Sequence, residues 1–245
     1  MDATLYSHIF AIEDHYWWSV GTRAIFAEWL ASSLPRGPVT ILDVGCGSGR
    51  FMQELSRRGV VHGMDIAPEA IDLSRRRGIE RLCVGTAEHL PYRTGSFDAV
   101  SAADVVEHVD DRVALTEIVR VLRPGGVALI HVPAFPMLWG PHDVAAHHRR
   151  RYRRAEFCRV VAASGLHITR LSYVNCLVFP VAVAVRGGRR LLPGPRHVGP
   201  AAADIYDLPR WLNTMLTRML LLERMAMRRI SLPFGVSLLC VARKT

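Results

Sequence analysis

What this 245-residue sequence lacks narrows its class before any motif is read. Its five cysteines (Cys46, Cys83, Cys158, Cys176, Cys240) are odd in number and scattered without a C-x-x-C pair, which argues against a disulfide framework or a zinc site. A reducing, cytoplasmic setting is the expectation. The longest apolar run, residues 176–185, is interrupted by Pro180 and falls well short of the roughly 20 residues that cross a bilayer. Near the N-terminus, Asp2, Glu13 and Asp14 stand among aromatics, so no basic-then-apolar secretory signal is read there. Acidic residues are in deficit: 22 Asp and Glu against 31 Lys and Arg leave a formal charge of +9. That excess suggests an anionic partner, whether nucleic acid, a membrane surface or a phosphorylated substrate. With half of its residues hydrophobic and only 22% charged, the chain has the material for a buried interior.

The charge is unevenly placed. Arg149, Arg150, Arg151, Arg153 and Arg154 form one cluster, and more arginines follow between Arg186 and Arg229. In residues 5–34 apolar and aromatic side chains recur at helical spacing up to Pro35-Arg36-Gly37-Pro38, which stops a helix. From residue 39 short β-branched runs alternate with amphipathic helical stretches. Strands are expected at 39–44, 60–65, 81–84, 97–102, 127–132, 167–173 and 236–242, with helices between them and an irregular stretch at 134–154. Such alternation implies a doubly wound α/β fold, a mostly parallel sheet with helices on both faces. The expected organisation is an N-terminal helical arm (1–38), a core (39–173), an inserted helical cap (174–235) containing the loop Leu192-Pro193-Gly194-Pro195, and a final core strand (236–245).

The sharpest local signal is Asp43-Val44-Gly45-Cys46-Gly47-Ser48-Gly49 between the first strand and a helix. Glycines there accept positive φ and let a ligand approach the backbone. A dinucleotide fingerprint would require a third glycine where Arg50 stands, which disfavours NAD and FAD. The run instead resembles the D-x-G-x-G-x-G motif of class I S-adenosylmethionine (SAM)-dependent methyltransferases, in the small-molecule branch that includes ubiquinone and menaquinone methyltransferases. That resemblance implies a Rossmann-like sheet of seven strands and SAM as cofactor. It places Asp43, Gly45, Cys46, Gly47 and Gly49 around the methionine part and ribose of the cofactor, with Asp65 and Ile66, ending the second strand, at the ribose hydroxyls. Gly85-Thr86-Ala87-Glu88 resembles the adenine-contacting loop, which brings in Thr86, Ala87 and Glu88. Asp104, Val105 and His108, after the fourth strand, fall on the cofactor cleft. Arg123-Pro124-Gly125-Gly126 resembles the turn before the fifth strand. Where nucleic-acid adenine methyltransferases carry N/D-P-P-Y/F, this chain reads Asp104-Val105-Val106-Glu107, which weakens that assignment. In the arm, Tyr16, Trp18 and Arg23 resemble an aromatic and arginine lid over the sulfonium and carboxylate of SAM; simple anchoring of the arm is the other reading.

Methyl transfer from SAM needs the nucleophile and methyl held in line, and needs a base only for a protonated nucleophile. His142, Asp143, His148 and Tyr152 follow the fifth strand, at the carboxyl end of the sheet, and are the candidate catalytic residues, with a histidine as base and Asp143 holding its tautomer. Their spacing, with His147, also permits a metal site, although no metal is expected. Cap residues such as Leu177, Phe179, Val181, Trp211, Met215 and Leu220 could form an apolar chamber over the methyl, or could pack on the sheet or across a homodimer interface. The expected function is methylation, at oxygen or carbon, of a hydrophobic or acidic small molecule or lipid-like acceptor. The arginines would then meet an acidic substrate group or a membrane surface. RNA methylation is the alternative, disfavoured because the basic region is mixed with leucine and methionine and no RNA module is recognisable. A SAM-binding scaffold without catalysis is the third reading.

Overall fold

The computed structural model describes residues 3–191 and 208–245, with side-chain surroundings given for 6–186 and 208–245. The loop Leu192-Pro193-Gly194-Pro195 lies outside the described residues. Seven strands form one sheet: β1 (Val39–Val44), β2 (Gly59–Asp65), β3 (Leu82–Val84), β4 (Phe97–Ala103), β5 (Leu122–Pro133), β6 (Leu166–Val174) and β7 (Ser237–Lys244). Their order is β3-β2-β1-β4-β5-β7-β6. Parallel pairing runs from β3 through β5, while β7 is antiparallel to both β5 and β6.

This order locates the site. From β1 the chain winds outward through β2 and β3, then returns to place β4 on the opposite side of β1. The two connections leave β1 and β4 in opposite directions, and a crevice opens at their carboxyl ends. β1 can occupy the centre because Ile41 and Leu42 are both fully buried, as a continuous apolar run permits when helices cover both faces. The covering helices are α3 (Arg50–Leu55), α4 (Pro68–Arg76), α5 (Asp111–Val121) and α7 (Arg154–Ala163), numbered after α1 and α2 of the arm and the short α6 (Pro141–Ala145).

The arm is two helices, α1 (Ala3–Ile12) and α2 (Trp17–Ser33), where helical spacing alone ran continuously from 5 to 34. The break falls where Glu13 and Asp14 turn away to meet Ser48, Arg50 and Arg77. Helix α2 packs on β5 and β7 through Ile25, Phe26, Trp29 and Leu30, and the Arg170 guanidinium lies 3.8 Å over the Trp29 ring.

Two helices follow β6: α8 (Phe179–Leu191) and α9 (Arg210–Met227). Helix α9 lies along α2. Asn213 accepts from the Trp17 backbone N–H at 2.9 Å and donates to the His15 carbonyl at 2.8 Å, while Arg224 and Arg228 both pair with Glu28. The contact is close because position 21 has no side chain: a Cβ there would stand 2.4 Å from Leu220. Gly21→Ala should therefore push α9 off α2 and cost about 1–3 kcal/mol, read as a lower midpoint in denaturant unfolding with little change in slope.

Asp43, at the end of β1, is 3% exposed. Burial, with the neighbouring Asp65 carboxylate adding to it, pushes its pKa up to about 7. In the unfolded chain the group ionises at an ordinary carboxylate pKa, so the folded state alone keeps the proton as pH rises. Stability is therefore lost between about pH 4 and pH 7, by up to roughly 4 kcal/mol. Asp43→Asn should raise the melting temperature of the cofactor-free protein relative to the parent at pH 8, and the gain should shrink toward pH 5.

Candidate active site

Three glycines with φ of 70° (Gly45), 55° (Gly47) and 77° (Gly49) carry the chain from β1 into α3. The Gly45 and Cys46 N–H groups donate to the Met64 carbonyl at 2.7 and 3.0 Å, and Gly47 N–H donates to Asp65 Oδ2 at 2.9 Å. Side-chain space is closed at the first of these positions, since a Cβ on Gly45 would lie 2.4 Å from Val105. The other Asp65 oxygen accepts from the Ala67 N–H at 3.0 Å and from the Tyr6 hydroxyl at 3.3 Å. One carboxylate thus joins the glycine turn, the end of β2 and the arm.

Above the turn lies a cleft of about 540 Å³. Asp43, Gly45, Cys46 and Gly47 form its floor, and Asp65 and Ile66 stand at one edge. Thr86, Ala87 and Glu88 make a second wall. Trp18 and Arg23 face them from α2, the guanidinium held from behind by the Glu13 carbonyl at 2.8 Å and the Glu54 carboxylate at 3.2 Å. Asp104, Val105 and His108 close the far end together with His147 and Arg149. Two residues singled out in the sequence lie elsewhere: the Tyr16 ring sits beside Trp17, and Gly49 caps α3 against Ser74. Conversely, Tyr6, Ile9 and Glu13 of the arm line the cleft without a motif to announce them. Tyr6, ten positions before the aromatic run, is the tyrosine that reaches the site; helical spacing alone gives no sign of what it faces.

The arm is strapped down by charge. Glu13 accepts from the Ser48 hydroxyl and pairs with Arg77 at 2.8 Å, both side chains being largely buried, while the more exposed Asp14 pairs with Arg50 at 2.5 Å and Arg77 at 3.3 Å. The Glu13–Arg77 pair matters most, because exposed pairs contribute no more than about 1 kcal/mol.

At the far end, Asp104 holds φ at 56° and His147 at 58°, left-handed values that a non-glycine residue adopts only when its surroundings impose them. Asp104 Oδ1 lies 2.8 Å from His131 Nδ1, and the His131 ring is buried against Phe26. His108 Nδ1 is 3.3 Å from the His147 carbonyl, and burial, with the neighbouring His148 adding to it, pushes the His108 pKa down to about 4.

None of the four candidate catalytic residues lines the cleft; they form a layer behind it. Asp143 is fully buried and accepts from His148 Nδ1 (2.8 Å), Arg151 Nε (2.7 Å) and the Gly140 N–H (2.8 Å), with Arg186 at 3.4 Å. The His142 ring stands edge-on to His148 at 5.7 Å, and His148 is edge-on to His108 at 4.8 Å. Tyr152 has no exposed surface. Its hydroxyl donates to Asp111 Oδ2 at 2.9 Å, and burial with the Asp111 charge holds its proton firmly, as suits a strut better than a base. Glu107, between Val106 and His108, is fully buried and drew no notice in the sequence beyond its place in the departed N/D-P-P-Y/F position. No described residue of α8 or α9 lines the cleft, so the apolar chamber expected from the cap is not formed by them.

Residues 42–130 match a family described as a methyltransferase domain. A ubiquinone biosynthesis O-methyltransferase of Xanthomonas oryzae pv. oryzae is 32% identical over 133 residues, 48% of this chain and 56% of that protein. The chain therefore spans little more than half the length of that relative. A tRNA (carboxymethyluridine(34)-5-O)-methyltransferase of Xenopus tropicalis is 37% identical over 105 residues, 41% of this chain but 16% of that protein. Among solved structures, the methyltransferase bound to the Trm112 activator of Haloferax volcanii aligns with a TM-score of 0.61 at 22% identity over 99% of this chain and 93% of that one. Geranyl diphosphate C-methyltransferase from Streptomyces coelicolor A3(2), solved with Mg2+, geranyl diphosphate and S-adenosyl-L-homocysteine, aligns with a TM-score of 0.56 at 19% identity over 89% and 78% of the two chains. The match begins within β1 and ends within β5, so the stretch that carries the glycine turn and the crevice is similar to a methyltransferase domain, and the strand order is that of the solved methyltransferases.

Proposed function

We propose that the chain transfers the methyl group of SAM to a hydrophobic or lipid-like small molecule, at oxygen or carbon. The observation that carries this reading is that one cleft has two unlike ends: a glycine floor with Asp65 at one, and Asp104, His108 and His147 at the other. Its volume lies within the range of about 300–1,000 Å³ usual for cofactor and substrate sites. Gly47 presents bare backbone to that space, since a Cβ there would meet nothing within 4 Å. On this reading Asp65 and Ile66 hold the ribose, Thr86, Ala87 and Glu88 the adenine, and Trp18 and Arg23 the methionine end.

Bound SAM supplies an activated methyl on a sulfonium. The chain's own work is to orient the acceptor and exclude water, which the strapped arm performs with Tyr6 and Ile9. A protonated acceptor oxygen must also be ionised. Asp104 and His108 stand at the cleft for this, with His148, oriented by Asp143, directly behind His108.

A lipid-like acceptor is supported by the surface of α8 and α9, where Val181, Val185, Trp211, Leu222 and Met225 are exposed and α9 adds the exposed Arg210 and Arg218. No helix among the described residues is long and apolar enough to cross a membrane. Methylation of RNA is supported by the tRNA relative. Against it, part of the arginine excess is spent internally: Arg150 pairs with Asp111, and Arg151 and Arg186 with Asp143.

The test is transfer of labelled methyl from SAM into a cell extract of the source organism, followed by separation of lipid, phenolic and RNA fractions. Label in the organic fractions is expected; salt-sensitive label in RNA alone would overturn the acceptor class. SAM binding without transfer to any fraction would favour a scaffold. Asp65→Ala should weaken SAM binding by about tenfold or more in calorimetry. His148→Ala should lower turnover by about 100-fold, and His142→Ala by less, with SAM affinity spared in both.

A further inference from the structure

We propose that Glu107, His108 and His148 form a site for a divalent transition-metal ion of the zinc class, at the acceptor end of the cleft. Glu107 has no exposed surface, and neither of its carboxylate oxygens accepts a hydrogen bond from another described residue. Burying a carboxylate without side-chain hydrogen-bond donors is costly, and while the Arg151 charge offsets part of that cost, the Asp104 and Asp143 charges add to it.

The group facing it is His148. His148 gives its Nδ1 hydrogen to Asp143 at 2.8 Å, which in the neutral ring leaves Nε2 as a lone pair, 3.9 Å from Glu107 Oε1. In that form the imidazole lone pair and the carboxylate point at the same space, where one cation would serve both. His108 is arranged alike: its Nδ1 lies against the His147 carbonyl, which can only accept, so the second nitrogen carries the lone pair. One ligand atom from each of Glu107, His108 and His148 lies within 4.8 Å of the other two. Around a single tetrahedral ion, with bonds of about 2.0–2.2 Å, such atoms stand about 3.3–3.6 Å apart. Gathering the three atoms on one ion requires them to draw together by about 1 Å.

The surroundings match those of a metal-binding histidine. Asp143 takes the far nitrogen of His148 and is itself immobilised by Arg151, Arg186 and the Gly140 N–H, the carboxylate–histidine support that fixes the tautomer and orientation of a ligand. Sequence spacing grouped Asp143 with the histidines as a permitted metal set; the fold places it one layer out. Two imidazoles and one carboxylate suit zinc-class ions, and three protein ligands leave coordination open toward the cleft. On the proposed methyltransferase reading, an acceptor that presents an ionisable oxygen, a phenol, enol or hydroxyl, would be the class drawn to that position.

The test uses the full chain, stripped by chelator and titrated with ZnCl2 in calorimetry, with Co2+ absorption as a second probe. One equivalent of Zn2+ should bind with micromolar or tighter affinity. Glu107→Gln and His148→Ala should each weaken it at least 100-fold and abolish the visible Co2+ bands, and Asp143→Asn should weaken it about 10–100-fold. Because Glu107→Gln relieves a buried charge, it should fold. Zn2+ should raise the melting temperature of the parent protein and leave that of Glu107→Gln unmoved. Absence of stoichiometric binding, or undiminished affinity in both first variants, overturns the site and assigns Glu107 a proton instead. SAM binding is measured in parallel: protein that binds SAM but not Zn2+ refutes this site alone, whereas protein that binds Zn2+ here but not SAM refutes the methyltransferase reading alone.

Discussion

Three segments of chain meet at the Asp65 carboxylate: the glycine turn through the Gly47 N–H, the start of α4 through the Ala67 N–H, and the arm through the Tyr6 hydroxyl. Hydrogen bonds to a charged group contribute about 1.5–3 kcal/mol each, roughly twice a neutral one. The arrangement is economical, because the group that ends β2 also fixes the shape of the turn that ends β1. It also ties the arm to the floor of the cleft, so that access and geometry depend on one side chain. Helix α1 is otherwise held mainly by Glu13 and Asp14 on Arg77 and Arg50 and by the Phe10 ring under the Arg77 guanidinium.

A second buried carboxylate, Asp143, organises the opposite end. It gathers two arginines, a histidine and a backbone N–H, and thereby sets the His148 ring at a fixed angle to His108 and Glu107. The cleft lies between these two centres. One is built at the carboxyl ends of β1 and β2, the other from the segments that follow β4 and β5. The sheet order requires this division, since β1 and β4 are neighbours whose connections diverge.

The same geometry revises the meaning of the net charge. A formal +9 suggested a surface for an anionic partner, yet Arg150, Arg151, Arg186, Arg77 and Arg23 are bound to carboxylates and carbonyls within the fold, and Arg170 is laid on Trp29. What remains for a partner includes arginines of α9, set among exposed tryptophan, leucine and methionine side chains.

The sequence by itself determined the sheet, its winding and the floor of the cleft. Residue alternation, β-branched runs and glycines at left-handed positions act over a few residues, so Asp43 to Gly49 and the strands around it could be read without knowing what they would touch. It also brought Thr86, Glu88, Asp104 and His108 to the right side of the fold by their order along the chain. Only the tertiary structure decided that Tyr6 rather than Tyr16 meets the site, across 59 positions of sequence, and that α9 lies on the arm, with Asn213 reaching Trp17 across 196, instead of roofing the cleft. It also decided that Tyr152 is a strut and that Glu107 faces His148. Periodicity states that a residue is buried or turned to one side; it carries no record of the partner on the other side, because that partner is delivered by crossover connections whose lengths and directions are properties of the whole sheet.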